Sequence, residues 1–256
     1  MEETMSKAAL ASRESESVVV IASKGRATDD LPALAEQAGS QPVPHDLILL
    51  KPNVCGMYPP SLDLLESIIE YLKPHSKALI IGETPSTMHS PDERFNSLGI
   101  KRLADRLGVA TRDLMRDEAV RVRVPKPHAM REIPLSATVL KADLIVNCPG
   151  LGTHGNTALT CALKNLFGLI SERHKFSNLH PRGVSEVIAD VFQIVKPRLN
   201  VVDCGQRVLV GTDALSVDVV ASEFKSLSPS RVKHLVLAAQ DLGLSLNDLR
   251  IRRVEL

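Results

Sequence analysis

The sequence predicts an α/β protein with an open, mostly parallel sheet that carries helices on both faces, folded as a single compact unit. Two observations lead to this class. Short apolar runs rich in β-branched residues alternate with segments of helical spacing along the chain. Aromatic residues make up only 3% of the 256 residues, so aliphatic side chains must build the core, as they do around buried parallel strands.

Nine strands are predicted, each an apolar run that stops at a polar residue, a glycine or a proline. The segment 131–134 is expected to pair with 120–124, 207–211 to form a hairpin with 199–205, and 251–256 to close the sheet. The predicted strands are 17–22, 46–53, 77–83, 120–124, 131–134, 143–150, 199–205, 207–211 and 251–256.

The helices are predicted from apolar residues at helical spacing and from capping residues such as Ser61 and Gly39. The predicted helices are 31–39, 61–73, 99–108, 136–142, 183–195, 216–227 and 230–243, with a further helix starting between 157 and 160. One domain is expected over 17–256, after a polar, disordered leader over 1–16.

Composition and charge exclude several function classes. The net charge is +1 and aromatic stacking platforms are lacking, so a nucleic-acid partner is not expected. No apolar run reaches the roughly 20 residues that span a bilayer, and the N-terminus has no signal-peptide core, so no membrane is expected and the cytoplasm is predicted. The expected partner is a small-molecule ligand, and the sequence leaves the oligomeric state open.

Polar residues follow four of the predicted parallel strands at the point where each strand ends. They are Lys51 and Asn53, Glu83 and Thr84, Asn147, and Asp203. In open α/β sheets, ligands bind in the crevice beyond the carboxyl ends of the strands. The sequence therefore predicts a ligand or cofactor site at this edge of the sheet.

The segment 150–180 leaves that edge and concentrates reactive side chains. Lys164 lies in an apolar helical run, where burial would lower its pKa and permit a nucleophilic, Schiff-base or tethering role; alternatively its stem reaches solvent. His154 and His180 are predicted to move protons or bind metal, whereas His174, in the charged stretch SERHK, is predicted to be solvated.

The glycine-rich loop from Gly150 to Thr160 precedes a predicted helix start, where exposed N–H groups favour an anion; an ordinary connection is the alternative. The leading hypothesis is thus an enzyme that acts on a small phosphate- or carboxylate-bearing ligand through a Lys/His centre. Its predicted catalytic residues are His154, Lys164 and His180. Its predicted ligand- or cofactor-binding residues are Lys51, Asn53, Thr160, Asn165, Asp203 and Asp218.

The four cysteines support a different hypothesis. Cys55, Cys148 and Cys204 follow predicted strands, and Cys161 begins the helix that leaves the same edge. If they converge, they would bind a divalent metal such as zinc or an iron–sulfur cluster, for electron transfer or cluster delivery. Alternatively these side chains simply pack, because cysteine is often buried. A third hypothesis is a binding module without turnover.

Four segments resemble the domain of unknown function 362 family: 49–53 (LLKPN), 141–170 (KADLIVNCPGLGTHGNTALTCALKNLFGLI), 199–206 and 211–224. The resemblance spans about 46–224, and its most specific residues include His154, Lys164 and Asn165. Members of that family are often fused to ferredoxin-type iron–sulfur modules, and this chain has no CxxCxxC run.

The order of His154, Lys164 and His180 is similar, more distantly, to the lactate racemase family, which carries a nickel-pincer nucleotide on a lysine. That resemblance implies that Lys164 tethers or contacts a cofactor, that His180 ligates a metal and that His154 moves a proton. It also implies His89 as a second proton carrier.

Overall fold

Twelve strands form one large and two small sheets in the part of the chain that the computed structural model describes, residues 16–41 and 43–256. The strands are β1 (Ser17–Ser23), β2 (His45–Pro52), β3 (Ser76–Glu83), β4 (Ala110–Asp113), β5 (Ala119–Arg123), β6 (Glu132–Ser136), β7 (Leu144–Cys148), β8 (Gly152–His154), β9 (Ala158–Thr160), β10 (Leu199–Asp203), β11 (Arg207–Gly211) and β12 (Ile251–Glu255). The predicted leader falls almost entirely outside these described residues.

The large sheet has the strand order β12-β1-β11-β10-β7-β2-β3-β4. Strand β11 runs antiparallel to both of its neighbours, and every other neighbouring pair in this sheet is parallel. The predicted fold class, the β10–β11 hairpin and the closing strand β12 are therefore confirmed, as is the pairing of β5 with β6.

Helices cover both faces of the large sheet. They are α1 (Lys24–Asp29), α2 (Leu31–Gln37), α3 (Leu62–Leu72), α4 (Pro91–Ser97), α5 (Ile100–Leu107), α6 (Ala137–Lys141), α7 (Ala162–Leu166), α8 (Lys175–Leu179), α9 (Val184–Ile194), α10 (Ala214–Glu223) and α11 (Lys233–Asp241). One apolar core lies between the sheet and α1–α5, and a second lies between the sheet and α6–α11. In the described ranges, no helix is long and apolar enough to cross a membrane.

Alternation along the strands decides which face each end residue reaches. Ile48 and Leu50 of β2 pack under α1–α5, whereas Leu49 packs under α6–α11. Successive strand residues point to opposite faces, so Lys51 lies on the α6–α11 side with Leu49. Lys51 is also the register partner of Asn147, which brings these two polar side chains together.

The segment after β7 differs from the prediction. A helix was expected to begin between 157 and 160, but β8 and β9 form an antiparallel hairpin there, and α7 begins only at Ala162. Gly152 permits this hairpin, because a Cβ at that position would lie 2.2 Å from the Tyr58 ring. Tyr58 thus packs directly on the hairpin backbone.

Candidate functional site

A pocket of about 170 Å³ opens at the carboxyl ends of β2 and β3, between the sheet and the segments that carry α7 and α8. Seven residues predicted for the site or for metal binding line it. They are Lys51, Asn53, Cys55, Thr160, Lys164, Asn165 and His180. This pocket lies at the expected location beyond the strand ends, and other pockets lie elsewhere on the described part of the chain.

A buried ion pair forms the floor of this pocket. Lys51 is fully buried, and its Nζ donates to Glu83 Oε2 at 2.8 Å, to Asn165 Oδ1 at 3.0 Å and to the Pro52 carbonyl at 2.9 Å. An ammonium has three N–H donors, so Lys51 has none left for a ligand. Lys51 therefore organises the pocket floor, whereas the sequence predicted a direct contact with an anion.

A chain of asparagines extends from this ion pair across the sheet. Asn165 Nδ2 donates to the Lys51 carbonyl at 3.0 Å and to Asn147 Oδ1 at 2.8 Å. Asn147 Nδ2 in turn donates to the Ala162 carbonyl and to Asn200 Oδ1, each at 3.0 Å. Buried polar networks of this kind hold their members in one geometry when every group is satisfied.

Gly168 closes over the ion pair. A Cβ at this position would lie 2.9 Å from Glu83 Oε1 and 2.9 Å from Lys51 Nζ, closer than real Cβ contacts. The Gly168 carbonyl also accepts a hydrogen bond from the Thr84 hydroxyl. The pocket floor therefore depends on the absence of a side chain at Gly168.

Lys164 reaches the pocket from α7 and has no hydrogen-bond or charged partner among the described residues. Burial lowers the pKa of Lys164 from about 10.5 to about 8. Within the described chain, no hydrogen bond and no charge opposes this effect of burial. The direction of this shift is the one that the sequence predicts. Lys164 is half-buried, and the partial removal of an ammonium from water is costly unless a ligand supplies an acceptor.

Lys175 is a second pocket cation, and sequence reasoning missed it. It is 8% exposed, it lines the pocket from α8, and its Nζ donates to the Thr84 hydroxyl rather than to a carboxylate. Burial lowers the pKa of Lys175 to about 8, although the nearby Glu83 charge acts in the opposite direction. Its neighbours Arg173 and His174 are exposed. The charged stretch around His174 predicted that this side chain is solvated, in agreement with its exposure.

The two predicted catalytic histidines lie near Lys164. Burial and the Lys164 charge lower the pKa of both His154 and His180, so both rings are neutral near pH 7. His180 lines the pocket and packs against Phe176 with the ring centroids 4.5 Å apart and the ring planes tilted by 45°. His154 lies on β8 beside the pocket, and its Nδ1 accepts from the Asn156 N–H at 3.2 Å.

Thr160 presents an unpaired hydroxyl. Its side chain lines the pocket and is 4% exposed, yet Oγ1 has no hydrogen-bond partner among the residues that the structure describes. Buried hydroxyls are normally paired, so an orphan in a pocket wall is a place where a ligand can donate or accept.

Asp203 and Asp218 lie away from this pocket. Asp203 Oδ2 accepts from Lys24 Nζ and from the Ser61 N–H, each at 2.9 Å, and Oδ1 accepts from the Gly205 N–H. Burial raises the pKa of Asp203. These hydrogen bonds lower it by a larger amount, so the net pKa lies below the usual value of an aspartate. The carboxylate is thus satisfied inside the protein.

Asp218 occupies the start of α7. Its carboxylate accepts from the Ala162 N–H at 2.7 Å and from the Leu163 N–H at 2.9 Å. The sequence predicted that an anion binds at this helix start, and the Asp218 carboxylate of the protein itself occupies that position. Burial raises the pKa of Asp218 to about 7, against the effect of these hydrogen bonds.

The four cysteines are divided between the two faces of the sheet. Cys55 and Cys148 pack under α1–α5, whereas Cys161 and Cys204 pack in the opposite core. Over residues 16–41 and 43–256, no three His, Cys, Asp or Glu side chains form a group that could hold a metal ion. The donor set needed for a zinc or iron–sulfur site is not brought together.

Other lining residues were also outside the predicted site. Glu83, Thr84, Phe167 and Phe176 contribute to the wall. Glu83 and Thr84 carried a signal, because they end a predicted strand. The sequence signal for a buried Lys175 is weaker: the apolar residues Phe176 and Leu179 follow it in an otherwise polar stretch.

A family model, Domain of unknown function (DUF362), matches residues 48–223. The chain belongs to this family. The matched region contains the strands, the hairpin and the helices that build the pocket. No curated protein matches the chain.

The nickel-pincer nucleotide of the lactate racemase family does not fit these residues. The pocket holds about 170 Å³, whereas cofactor sites typically occupy roughly 300–1,000 Å³. His89 lies in a turn in which its N–H donates to Ser86 Oγ at 3.1 Å, and its side chain is not part of the pocket wall.

Proposed function

We propose that this protein binds a small phosphate- or carboxylate-bearing ligand in the pocket and acts on it as an enzyme of the cytoplasm. The observation that carries the proposal is a charge imbalance. Three lysines line the pocket with a single carboxylate, Glu83, and that carboxylate is paired with Lys51 at 2.8 Å. Lys164 and Lys175 are left for a ligand.

The arrangement of donors favours a small anion over a neutral molecule. Lys164 and Lys175 supply two ammonium groups, and the unpaired Thr160 hydroxyl adds a neutral donor. Charge-assisted hydrogen bonds are about twice as strong as neutral ones. Bringing an anion between two desolvated ammonium groups would relieve the cost of burying both.

The neighbouring imidazoles favour catalysis over simple binding. His154 and His180 are neutral near pH 7 and lie near Lys164, so each can accept a proton during a reaction in the pocket. We assign His180 and His154 to proton transfer, Lys164 to the reacting end of the ligand and Lys175 to its anionic end.

Isothermal titration with sulfate tests the binding step, because the charge of sulfate stays constant over the working pH range. We expect Lys164→Met and Lys175→Met each to weaken sulfate binding by roughly 10-fold or more, the loss of one charge-assisted hydrogen bond. Lys225→Met is the matched control, because Lys225 is exposed and lies outside the pocket.

Equal sulfate affinity in all four proteins would contradict the proposal. Circular dichroism of each variant must match the wild type, so that a loss of binding is assigned to the pocket and not to unfolding.

A further inference from the structure

The three pocket lysines differ in what their ammonium groups already bind. Lys51 uses its three donors on Glu83, Asn165 and a backbone carbonyl. Lys175 donates to the Thr84 hydroxyl. Lys164 makes no such contact within the described chain, so all of its hydrogen-bonding positions are open to a ligand, whereas Lys51 has none left and Lys175 has used one of three.

We infer that Lys164 is a nucleophile that forms an imine with the carbonyl carbon of a small 2-oxo acid, while Lys175 holds the carboxylate of that acid. This inference rests on the proposed function, because it names the substrate class and the first chemical step at the same site.

The step balances without any further reactant. The neutral Lys164 amine adds to the carbonyl carbon, which gives a carbinolamine. A new C=N bond then replaces the C–O bond, and the carbonyl oxygen leaves as water with the two hydrogens of the amine. No electron is gained or lost, so neither an oxidant nor a reductant is required.

The surroundings of Lys164 favour its neutral, nucleophilic form. No carboxylate pairs with it in the described chain, and burial lowers its pKa to about 8, so a useful fraction is unprotonated near neutral pH. His234 is a fully buried ring close enough to Lys164 to respond to its charge, and burial together with that charge lowers the pKa of His234 to about 3. That neighbour is neutral and does not stabilise the ammonium.

Proton carriers and a second cation are placed where imine formation needs them. His180 lines the pocket, and His154 lies beside it; both can take the ammonium proton and return it to the departing oxygen. Lys175 enters from a different helix, α8, and so can hold the carboxylate while Lys164 reaches the adjacent carbonyl.

Borohydride trapping followed by peptide mass spectrometry tests this inference. Purified protein is incubated with pyruvate or glyoxylate, reduced with sodium borohydride and digested. We expect one reduced adduct, on Lys164, in the wild type and in Lys225→Arg, a control at an exposed position outside the pocket. We expect its loss in Lys164→Arg, which keeps the positive charge but cannot form an imine.

The same proteins are titrated with sulfate, so that two failures can be told apart. Sulfate binding without a trapped adduct would overturn the imine and leave the proposed anion site standing. The absence of both would overturn the proposed function as well. An adduct on Lys175 or on surface lysines, equal in wild type and Lys164→Arg, would also overturn the inference.

Discussion

The carboxyl edge of the sheet has two halves that carry similar residues but differ in how their charged side chains are paired. At the end of β10, Asp203 is balanced by Lys24 at 2.9 Å and by two backbone N–H groups. At the ends of β2 and β3, Glu83 balances Lys51, but Lys164 and Lys175 face the pocket without a carboxylate.

We propose that this difference distinguishes a ligand site from a structural one. Charged residues at strand ends mark both halves, and the sequence accordingly predicted site residues in each. Among the described residues at this edge, Lys164 and Lys175 of the β2–β3 half form no ion pair with a carboxylate, whereas the Asp203 charge of the β10 half is paired with Lys24.

The largest expected effect comes from breaking the pocket-floor ion pair. Glu83→Gln leaves Lys51, which is fully buried, without its counter-charge and should lower the free energy of unfolding by about 3–5 kcal/mol. Asp203→Asn should cost about 1–3 kcal/mol, because Lys24 is 25% exposed and water can solvate it. Urea unfolding measures both, and equal losses would contradict the comparison.

A methyl group over the same ion pair should have the next largest effect. Gly168→Ala places a Cβ 2.9 Å from both Lys51 Nζ and Glu83 Oε1, so we expect a loss of about 1–3 kcal/mol and weaker sulfate binding. Gly25→Ala is the control, because no atom lies within 4 Å of the added Cβ. Thermal unfolding of the two variants checks this, and a Gly168→Ala protein as stable as Gly25→Ala would speak against the tight floor.

Sulfate affinity should depend on pH through the pocket lysines. Both Lys164 and Lys175 have a pKa of about 8 in the free protein, so above that pH they lose the charge that attracts the anion. We expect affinity to fall by up to about 10-fold per pH unit above pH 8 for each lysine that deprotonates. Calorimetry over this range measures it, and constant affinity from about pH 7 to pH 10 would exclude both lysines from binding.

The smallest expected effect is the contribution of Lys164 to the pH dependence of the free energy of unfolding. The folded-state pKa of Lys164 is below the unfolded value, so between about pH 8 and pH 10.5 the unfolded chain binds more protons and the wild type gains stability as the pH rises. Lys164→Met should therefore be at least as stable as the wild type at pH 7, and should lack that part of the gain. A variant that unfolds at pH 7 would show that Lys164 is structural.

Much of the fold follows from local sequence patterns. The apolar runs ending at Pro52, Glu83, Cys148 and Asp203 became parallel strands, because uninterrupted apolar segments suit strands that are buried on both faces. Strand β4, with the sequence ATRD, was not predicted, because it has too few apolar residues to show a pattern.

The hairpin and part of the site depend on contacts that local patterns do not encode. The β8–β9 pairing requires Tyr58, a residue far away in sequence, to pack on Gly152. Lys175 is buried only because α8 folds over Thr84, a contact that spans 91 positions in the sequence. Lys164 could be predicted, since the apolar residues around it lie within its own helix.

The most direct test of the central claim is a pH titration of the lysine side chains by NMR, with ¹³Cε-labelled lysine and with Met variants for assignment. Lys196 is an internal control. It is exposed, and it lies over the Phe192 ring and outside the pocket. We predict that Lys164 and Lys175 titrate near pH 8, and that sulfate raises the pKa of these two lysines and leaves that of Lys196 unchanged. Titration of Lys164 and Lys175 near pH 10.5, or no response of either to sulfate, would contradict the account.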